Sequence, residues 1–234
     1  VDIFKEESWI TPLLGCASDN LRLLAGAADE VLKSPDNDCS REAVMNLTNG
    51  FTAVAKDRQP VDSPNAKKLA IFAVTNVLLK MYFKVHTLQL CSKLINIVEG
   101  PGAIMSNLRL FPLPDVVTYK FFIGRLKMFE DKYEEAREAL HFALKYCPRT
   151  NRRNRQRILV SLVPVEMSLG ILPAPVIGIE YGLDEYCTLG RAVRLGDVRS
   201  FEEILKRNQT TFIRLGVFLV LERCKTLCYR NLFK

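Results

Sequence analysis

Residues 118–148, TYKFFIGRLKMFEDKYEEAREALHFALKYCP, constrain this chain more than any other stretch. They read as two short antiparallel helices joined by a tight turn. Gly124, Ala136 and Ala143 are small where the two backbones must approach closely. Pro148 closes the second helix, because it lacks a backbone donor. Phe122, Ile123, Leu126, Met128 and Phe129 form an apolar face on the first helix, and Leu140, Ala143 and Leu144 form one on the second. Such a hairpin cannot bury its own apolar face, so it needs neighbours on both sides. The chain is a helical stack before any function is considered.

The helical period continues almost everywhere, and no segment sustains strand alternation between hairpin turns. Leu21, Leu24, Ala25, Ala28 and Leu32 make one stripe, ended by Ser34-Pro35. Ser40 is the expected cap of the next helix, in which Ala43, Val44, Leu47, Phe51 and Val54 recur at three and four. Ser63-Pro64 then opens a long helix in the cap-then-proline order, and Thr87 is placed to cap its partner, with Leu90, Leu94, Ile95 and Val98 facing inward. Glycines and prolines at 100–102 and 112–114 bracket the longest expected loop. Pro164 lies inside a later helix and should kink it, since the ring removes one hydrogen bond. Gly196-Asp197 reads as a helix stop followed by a start, between two further hairpin-like units. The expected fold class is all-α, a right-handed stack of tetratricopeptide-like helix pairs.

Hydrophobic residues make up 48% of the chain, enough for a core, and 25% of residues are charged, so wholesale disorder is not expected. Charge is distributed unevenly. Residues 1–117 hold 12 Lys/Arg and 13 Asp/Glu, whereas residues 118–234 hold 21 and 13. The excess positive charge of the second half could draw a polyanion, either nucleic acid or an acidic peptide, or serve solubility alone. Seven cysteines are scattered and never spaced as CxxC, which reads as buried, reduced thiols of a cytosolic or nuclear protein. No apolar run approaches the ~20 residues of a membrane helix, so no membrane partner is expected.

An enzyme is not expected either. The two histidines, His86 and His141, lie far apart without a Cys, Asp or Glu at metal-ligand spacing. No phosphate loop, GxGxxG, GxSxG or HExxH occurs. The acidic run from Glu130 to Glu138 alternates with Lys132 and Arg137, as ordinary i, i+4 pairing does. No catalytic residue, metal or cofactor is assigned.

A basic turn stands out instead. Lys145, Arg149, Arg152, Arg153, Arg155 and Arg157 lie close together, and no acid intervenes from Ala139 to Val165. Guanidinium groups offer a fixed fork of donors to phosphate or carboxylate, so the arginines are candidate binding residues for nucleic acid or an acidic partner. A solvated turn, with Arg149 and Arg152 interacting with the end of the preceding helix, is the other reading. A second candidate set, Arg223, Lys225, Arg230 and Lys234, alternates with Leu227 and Leu232, a pattern that also suits a solvated face. No aromatic clearly interleaves with the basic turn, so contacts would follow the nucleic-acid backbone and be weakly sequence-specific.

Five phrases in order carry a resemblance: LLKMYFKVHTLQLCSKLI, VTYKFFIGRLKMF, NRQRILVSLVPVEMSLGILP, RAVRLGD and FIRLGVFLVLERCKTLCYRNLFK. Together they resemble the PCI-domain subunit of the nuclear complex that couples transcription to mRNA export. That subunit is the partner of the GANP/Sac-type scaffold, and the signalosome-associated PCI protein is of the same lineage. The resemblance covers about residues 66–234, the expected PCI-type helical-repeat region ending at the start of the winged helix. Residues 1–65 are expected to be the N-terminal helices of the stack.

The resemblance implies a curved helical stack leading into a winged helix, pairing with a sister PCI protein, a small acidic protein of the Dss/Sem type on the helical part, and nucleic acid on the joined surfaces. It implies the nucleus, with the cytoplasm as a second location. The chain begins without methionine and stops at Asn231-Leu232-Phe233-Lys234, where the family's chain would continue, so the winged helix is expected to be truncated. The leading expectation is a non-enzymatic scaffold subunit of nuclear mRNA export that binds partner proteins and RNA. A PCI subunit of a signalosome or proteasome-lid-like assembly without an RNA role, and a helical-repeat peptide adaptor, are the alternatives.

Overall fold

In a computed structural model of the chain, residues 11–63, 66–100 and 103–234 are described. Helices are the only regular structure among them. The chain divides by compactness into two units, Val1–Phe122 and Ile123–Lys234. That division falls inside a helix. The boundary at 65/66 is of another kind, marking where the sequence resemblance begins.

The first unit contains α1 (Thr11–Leu32), α2 (Asp38–Ala55), a 3-10 turn (Lys67–Ala70) running into α3 (Ile71–Lys84), α4 (Gln89–Glu99), the short α5 (Ala103–Ser106) and the start of α6 (Leu113–Phe129). Helix α3 is its centre. Ile71, Phe72, Val74, Val77, Leu78, Leu79 and Met81 are all buried, the all-round apolar pattern of a helix covered on every side. Phe72 packs edge-on against Phe111 and Tyr119, with centroids 4.8 and 5.0 Å away. The side-chain amide of Asn76 donates to the Asp115 carbonyl at 2.8 Å.

Several local expectations change here. The buried face of α1 is Ser18, Ala25 and Asp29, while Leu24 and Leu32 are exposed, so only Ala25 of the expected stripe is fully buried. Leu21 and Ala28 are half-buried, so the stripe faces inward only in part and shares that face with a polar network. Ser40 does not cap α2. Asp29 reaches across from α1 and accepts from the backbone N–H groups of Cys39 (2.9 Å) and Ser40 (3.1 Å) and from the Ser40 hydroxyl. Lys84 of α3 completes the network, donating to the Ser40 hydroxyl at 3.1 Å and lying 3.6 Å from the Asp29 carboxylate. The cap therefore comes from another element. Ser63 opens no helix directly, and Pro64 lies outside the described residues; the Lys67 N–H donates to Asp57 at 2.7 Å instead. Nor does the Thr87 hydroxyl cap α4, and Cys91 takes the inward place expected of Leu90.

The second unit begins in α6 and continues through α7 (Tyr133–Tyr146), α8 (Arg152–Ser168), α9 (Pro175–Tyr181), α10 (Asp184–Leu195), α11 (Val198–Arg207), α12 (Gln209–Leu215), α13 (Phe218–Arg223) and α14 (Lys225–Leu232). The α6–α7 hairpin forms as the sequence indicates. A Cβ on Gly124 would come within 2.5 Å of Leu140 and 3.1 Å of the Ala136 carbonyl, so only glycine allows this approach. Asp131 turns the chain in the left-handed region at φ 61°. Ala136, Leu140 and Ala143 are fully buried; Phe129, expected inside, is 40% exposed.

Helix α8 runs through Pro164 without a break. The missing proline N–H frees the Val160 carbonyl one turn back, and the Tyr186 hydroxyl of α10 donates to it at 3.2 Å. Gly196 ends α10 in the left-handed region at φ 68°, and the Asp197 carboxylate accepts from the Ser200 N–H at 3.0 Å, a stop followed by a start as expected. The last stretch forms three short helices rather than a pair, broken at Gly216 and Cys224. Helix α14 returns onto α10. There the Asn231 amide donates to the Val193 carbonyl at 2.8 Å, and a Cβ on Gly196 would lie 2.6 Å from the Leu232 nitrogen.

All seven cysteines are free; Cys91, Cys147, Cys224 and Cys228 are buried and Cys16 is exposed. Burial pushes the Cys91 and Cys228 thiols up to about 11 and Cys224 to about 12, so these three are inert packing residues at neutral pH.

Candidate polyanion interface

The connection between α7 and α8 is short. Pro148 to Asn151 form a turn in which the Asn151 N–H donates to the Pro148 carbonyl at 3.1 Å. The Asn151 side chain then accepts from the Asn154 N–H at 3.2 Å and caps α8. No acid stands in the first turn of α8; Arg152 and Arg153 stand there instead. Cations at this end of a helix oppose its dipole, so local stability does not account for them.

The arginines of the turn divide into two kinds. Arg149, Arg152, Arg153 and Arg157 are exposed, and none takes part in an ion pair among the described residues. Arg153 and Arg157 stand four apart on α8 and share a face. Arg155 points inward. It donates to the Tyr181 hydroxyl at 3.0 Å and to the carbonyls of Leu144 and Cys147 at 3.0 and 3.1 Å. Arg155 thus closes the open end of α7 and ties α9 to α8, aided by Gln156, which donates to the Tyr181 carbonyl at 2.8 Å. Lys145 lies with its ammonium 5.4 Å from the Tyr146 ring.

The C-terminal candidates divide the same way. Arg223 lies 2.6 Å from the Asp131 carboxylate and donates to the Tyr133 hydroxyl at 2.9 Å, fastening α13 to the α6–α7 turn. Asp131 is held below its usual carboxylate range, chiefly by that hydrogen bond from Arg223. Lys225 pairs with Glu202 of α11. Arg230 and Lys234 are exposed. Within residues 123–234 there are 20 Lys/Arg against 13 Asp/Glu, a net charge of +7; residues 1–122 hold 13 of each.

One contact escaped the sequence reading. His141 of α7 lies 2.8 Å from Glu166 of α8, and Arg137 is at ion-pair distance, 3.9 Å, from the same oxygen. The partners are 25 positions apart on facing helices, beyond the reach of spacing rules. Among the described residues no three His, Cys, Asp or Glu could hold a metal ion. No helix among the described residues is long and apolar enough to cross a membrane.

An all-helical chain of this kind has clear relatives. It is 35% identical over 236 residues to PCI domain-containing protein 2 of Danio rerio, an overlap that takes in 98% of this chain and 57% of that protein. It is 34% identical over 231 residues to the PCI domain-containing protein 2 homolog of Drosophila melanogaster, with the same coverage. The chain is thus similar, over nearly its whole length, to proteins named for a PCI domain. It is also 27% identical to the Protein CSN12 homolog of Mycosarcoma maydis over 97% of its own length. No family model matches it. The likeness takes in nearly all of residues 1–65, beyond the stretch carried by the five sequence phrases. The chain spans little more than half the length of the curated relatives it matches, 57% in the zebrafish protein.

Proposed function

We propose that this protein is a non-enzymatic scaffold subunit of nuclear mRNA export, whose helical stack docks partner proteins and whose basic turn contributes to RNA binding. The observation that carries the RNA part is the exposed set Arg149, Arg152, Arg153 and Arg157 around the start of α8, in no ion pair among the described residues. Four guanidinium groups without acids among them suit successive phosphates, and two of them, Arg152 and Arg153, stand against the dipole of α8. The partners proposed from the resemblance are a GANP/Sac-type scaffold protein and a small acidic Dss/Sem-type protein, and the place is the nucleus.

The test is RNA binding by fluorescence anisotropy as salt is raised, comparing the chain with a variant carrying Ser at 149, 152, 153 and 157. Arg155 is left in place because its removal would disturb α7 and α9. If four phosphates are engaged on a single strand, log affinity falls with log salt at a slope of about −3, and the variant loses that slope. Binding that is absent, or equal in both proteins, overturns the RNA part. A second reading, a PCI subunit of a signalosome-type assembly with no RNA role, draws support from the name of the Mycosarcoma maydis relative. Co-purification from cells decides between them: recovery of a GANP/Sac-type protein supports export, and recovery of signalosome subunits alone supports the second reading.

A further inference from the structure

The tip of the basic turn carries one hydroxyl with no structural duty. Thr150 is exposed between Arg149 and the cap residue Asn151, in the turn that joins α7 to α8. Its carbonyl accepts from the Arg152 N–H at 3.0 Å, but its hydroxyl takes part in no hydrogen bond among the described residues. The capping that a threonine there could perform is performed by Asn151. Arg149 precedes Thr150 by one position, and Arg152 and Arg153 follow by two and three. No acidic residue lies between Ala139 and Val165. An accessible hydroxyl on an exposed turn, flanked by arginines on both sides, is what a serine/threonine kinase with an acidic substrate groove accepts.

We propose that Thr150 is a phosphorylation site that switches off the basic turn as a polyanion surface. The regulatory half rests on the RNA reading above; the modification half does not. In the reaction the Thr150 oxygen attacks the γ-phosphorus of ATP held by the kinase. The new O–P bond forms as the bond from that phosphorus to the β,γ-bridging oxygen breaks. The hydroxyl proton passes to the kinase's base, and ADP leaves. The resulting phosphate carries about −1.5 to −2 charges and three acceptor oxygens. Consecutive Cα atoms are about 3.8 Å apart, so the phosphate lies within side-chain reach of Arg149, Arg152 and Arg153. It occupies donors that would otherwise meet RNA and leaves the four exposed arginines with a local net charge of about +2.

The experiment treats the whole chain and its Thr150→Ala variant with ATP and the catalytic domains of basic-directed serine/threonine kinases. Phosphoryl incorporation is mapped by mass spectrometry. Binding of poly(U) RNA and of heparin, a polyanion that is not RNA, is then measured against salt. The expected result is one phosphoryl group at Thr150, absent from the variant, with both probes bound about tenfold more weakly and the salt slope roughly halved. Failure of every such kinase to modify Thr150 overturns the proposal, as does modification that leaves both probes bound as before. If the unmodified chain binds heparin but not poly(U), the RNA reading falls, and the switch stands or falls on the heparin series alone. If it binds neither, both fall.

Discussion

Residues 1–122 and 123–234 deploy their charges differently. In the first unit Lys/Arg and Asp/Glu are equal in number, and several cations are tied to carboxylates. Arg22 and Lys80 share Asp19, Lys84 meets the buried Asp29, and Lys120 lies 4.0 Å from Glu99. Asp29 shows how far this goes, since one carboxylate caps α2 and anchors α3. The second unit carries a surplus of seven positive charges and sorts its cations into two kinds. Arg155, Arg223 and Lys225 link elements, whereas Arg149, Arg152, Arg153 and Arg157 form no ion pair among the described residues. Charge that the fold uses and charge that it leaves over can stand two residues apart. A count of basic residues does not separate them.

The largest expected effect tests that separation directly. Serine at 149, 152, 153 and 157 should lower RNA affinity by about a hundredfold at low salt, against less than about twofold for the Arg223→Ser, Lys225→Ser pair, both read by anisotropy. Equal losses would erase the distinction between the two clusters. Next comes stability within the same turn. Arg155→Ala should cost about 2 kcal/mol in urea unfolding, since it strips charge-assisted donors from two carbonyls and a tyrosine. Arg153→Ala should stay within about 0.5 kcal/mol of the parent. If the two variants unfold alike, Arg155 is not the fastening residue.

The third expectation concerns the first unit and pH. The Ser40 hydroxyl, followed by the Cys39 and Ser40 N–H groups, holds the Asp29 carboxyl below its usual value. A carboxyl with a depressed folded value stabilises the fold above its unfolded pKa of about 3.9 and loses that contribution as pH falls through the folded value. The thermal midpoint of the parent should therefore exceed that of Asp29→Asn at pH 7, and the gap should close in acid below about pH 4. A gap that is constant across pH would assign the effect to shape rather than charge. The smallest effect should come from Arg223→Ala, which removes an exposed pair with Asp131. Its difference from the parent should be slight and shrink further as salt is added, because salt screens exposed pairs.

Much of the helical architecture was legible along the chain, and the misreadings share a cause. The Gly124 approach, the Gly196-Asp197 stop and start, and the α6–α7 hairpin rest on contacts within one hairpin or on the conformational limits of one residue. The cap expected of Ser40 is displaced because a hydroxyl at the right position says nothing of a better acceptor arriving from another helix, as Asp29 does ten residues before Cys39 in sequence. The stripe on α1 is inward only in part, because periodicity shows that an apolar face exists but not how much of it a neighbour covers. Pro164 is expected to kink its helix, and the helix continues through it. Not legible is that Tyr186, 26 positions beyond Val160, satisfies the Val160 carbonyl that the proline frees.

The candidate surface shows the same divide more sharply. By itself the sequence determined that this protein is all-helical and that an acid-free basic stretch sits between two of its helices. Helical period, turn chemistry and composition are properties of neighbouring residues. Only the tertiary structure decided which of those cations are available. Arg155 is committed by carbonyls 8 and 11 positions away, and Arg223 by a tyrosine 90 positions away. Electrostatic pairing depends on distance through space, and a folded chain sets that distance independently of separation along the sequence.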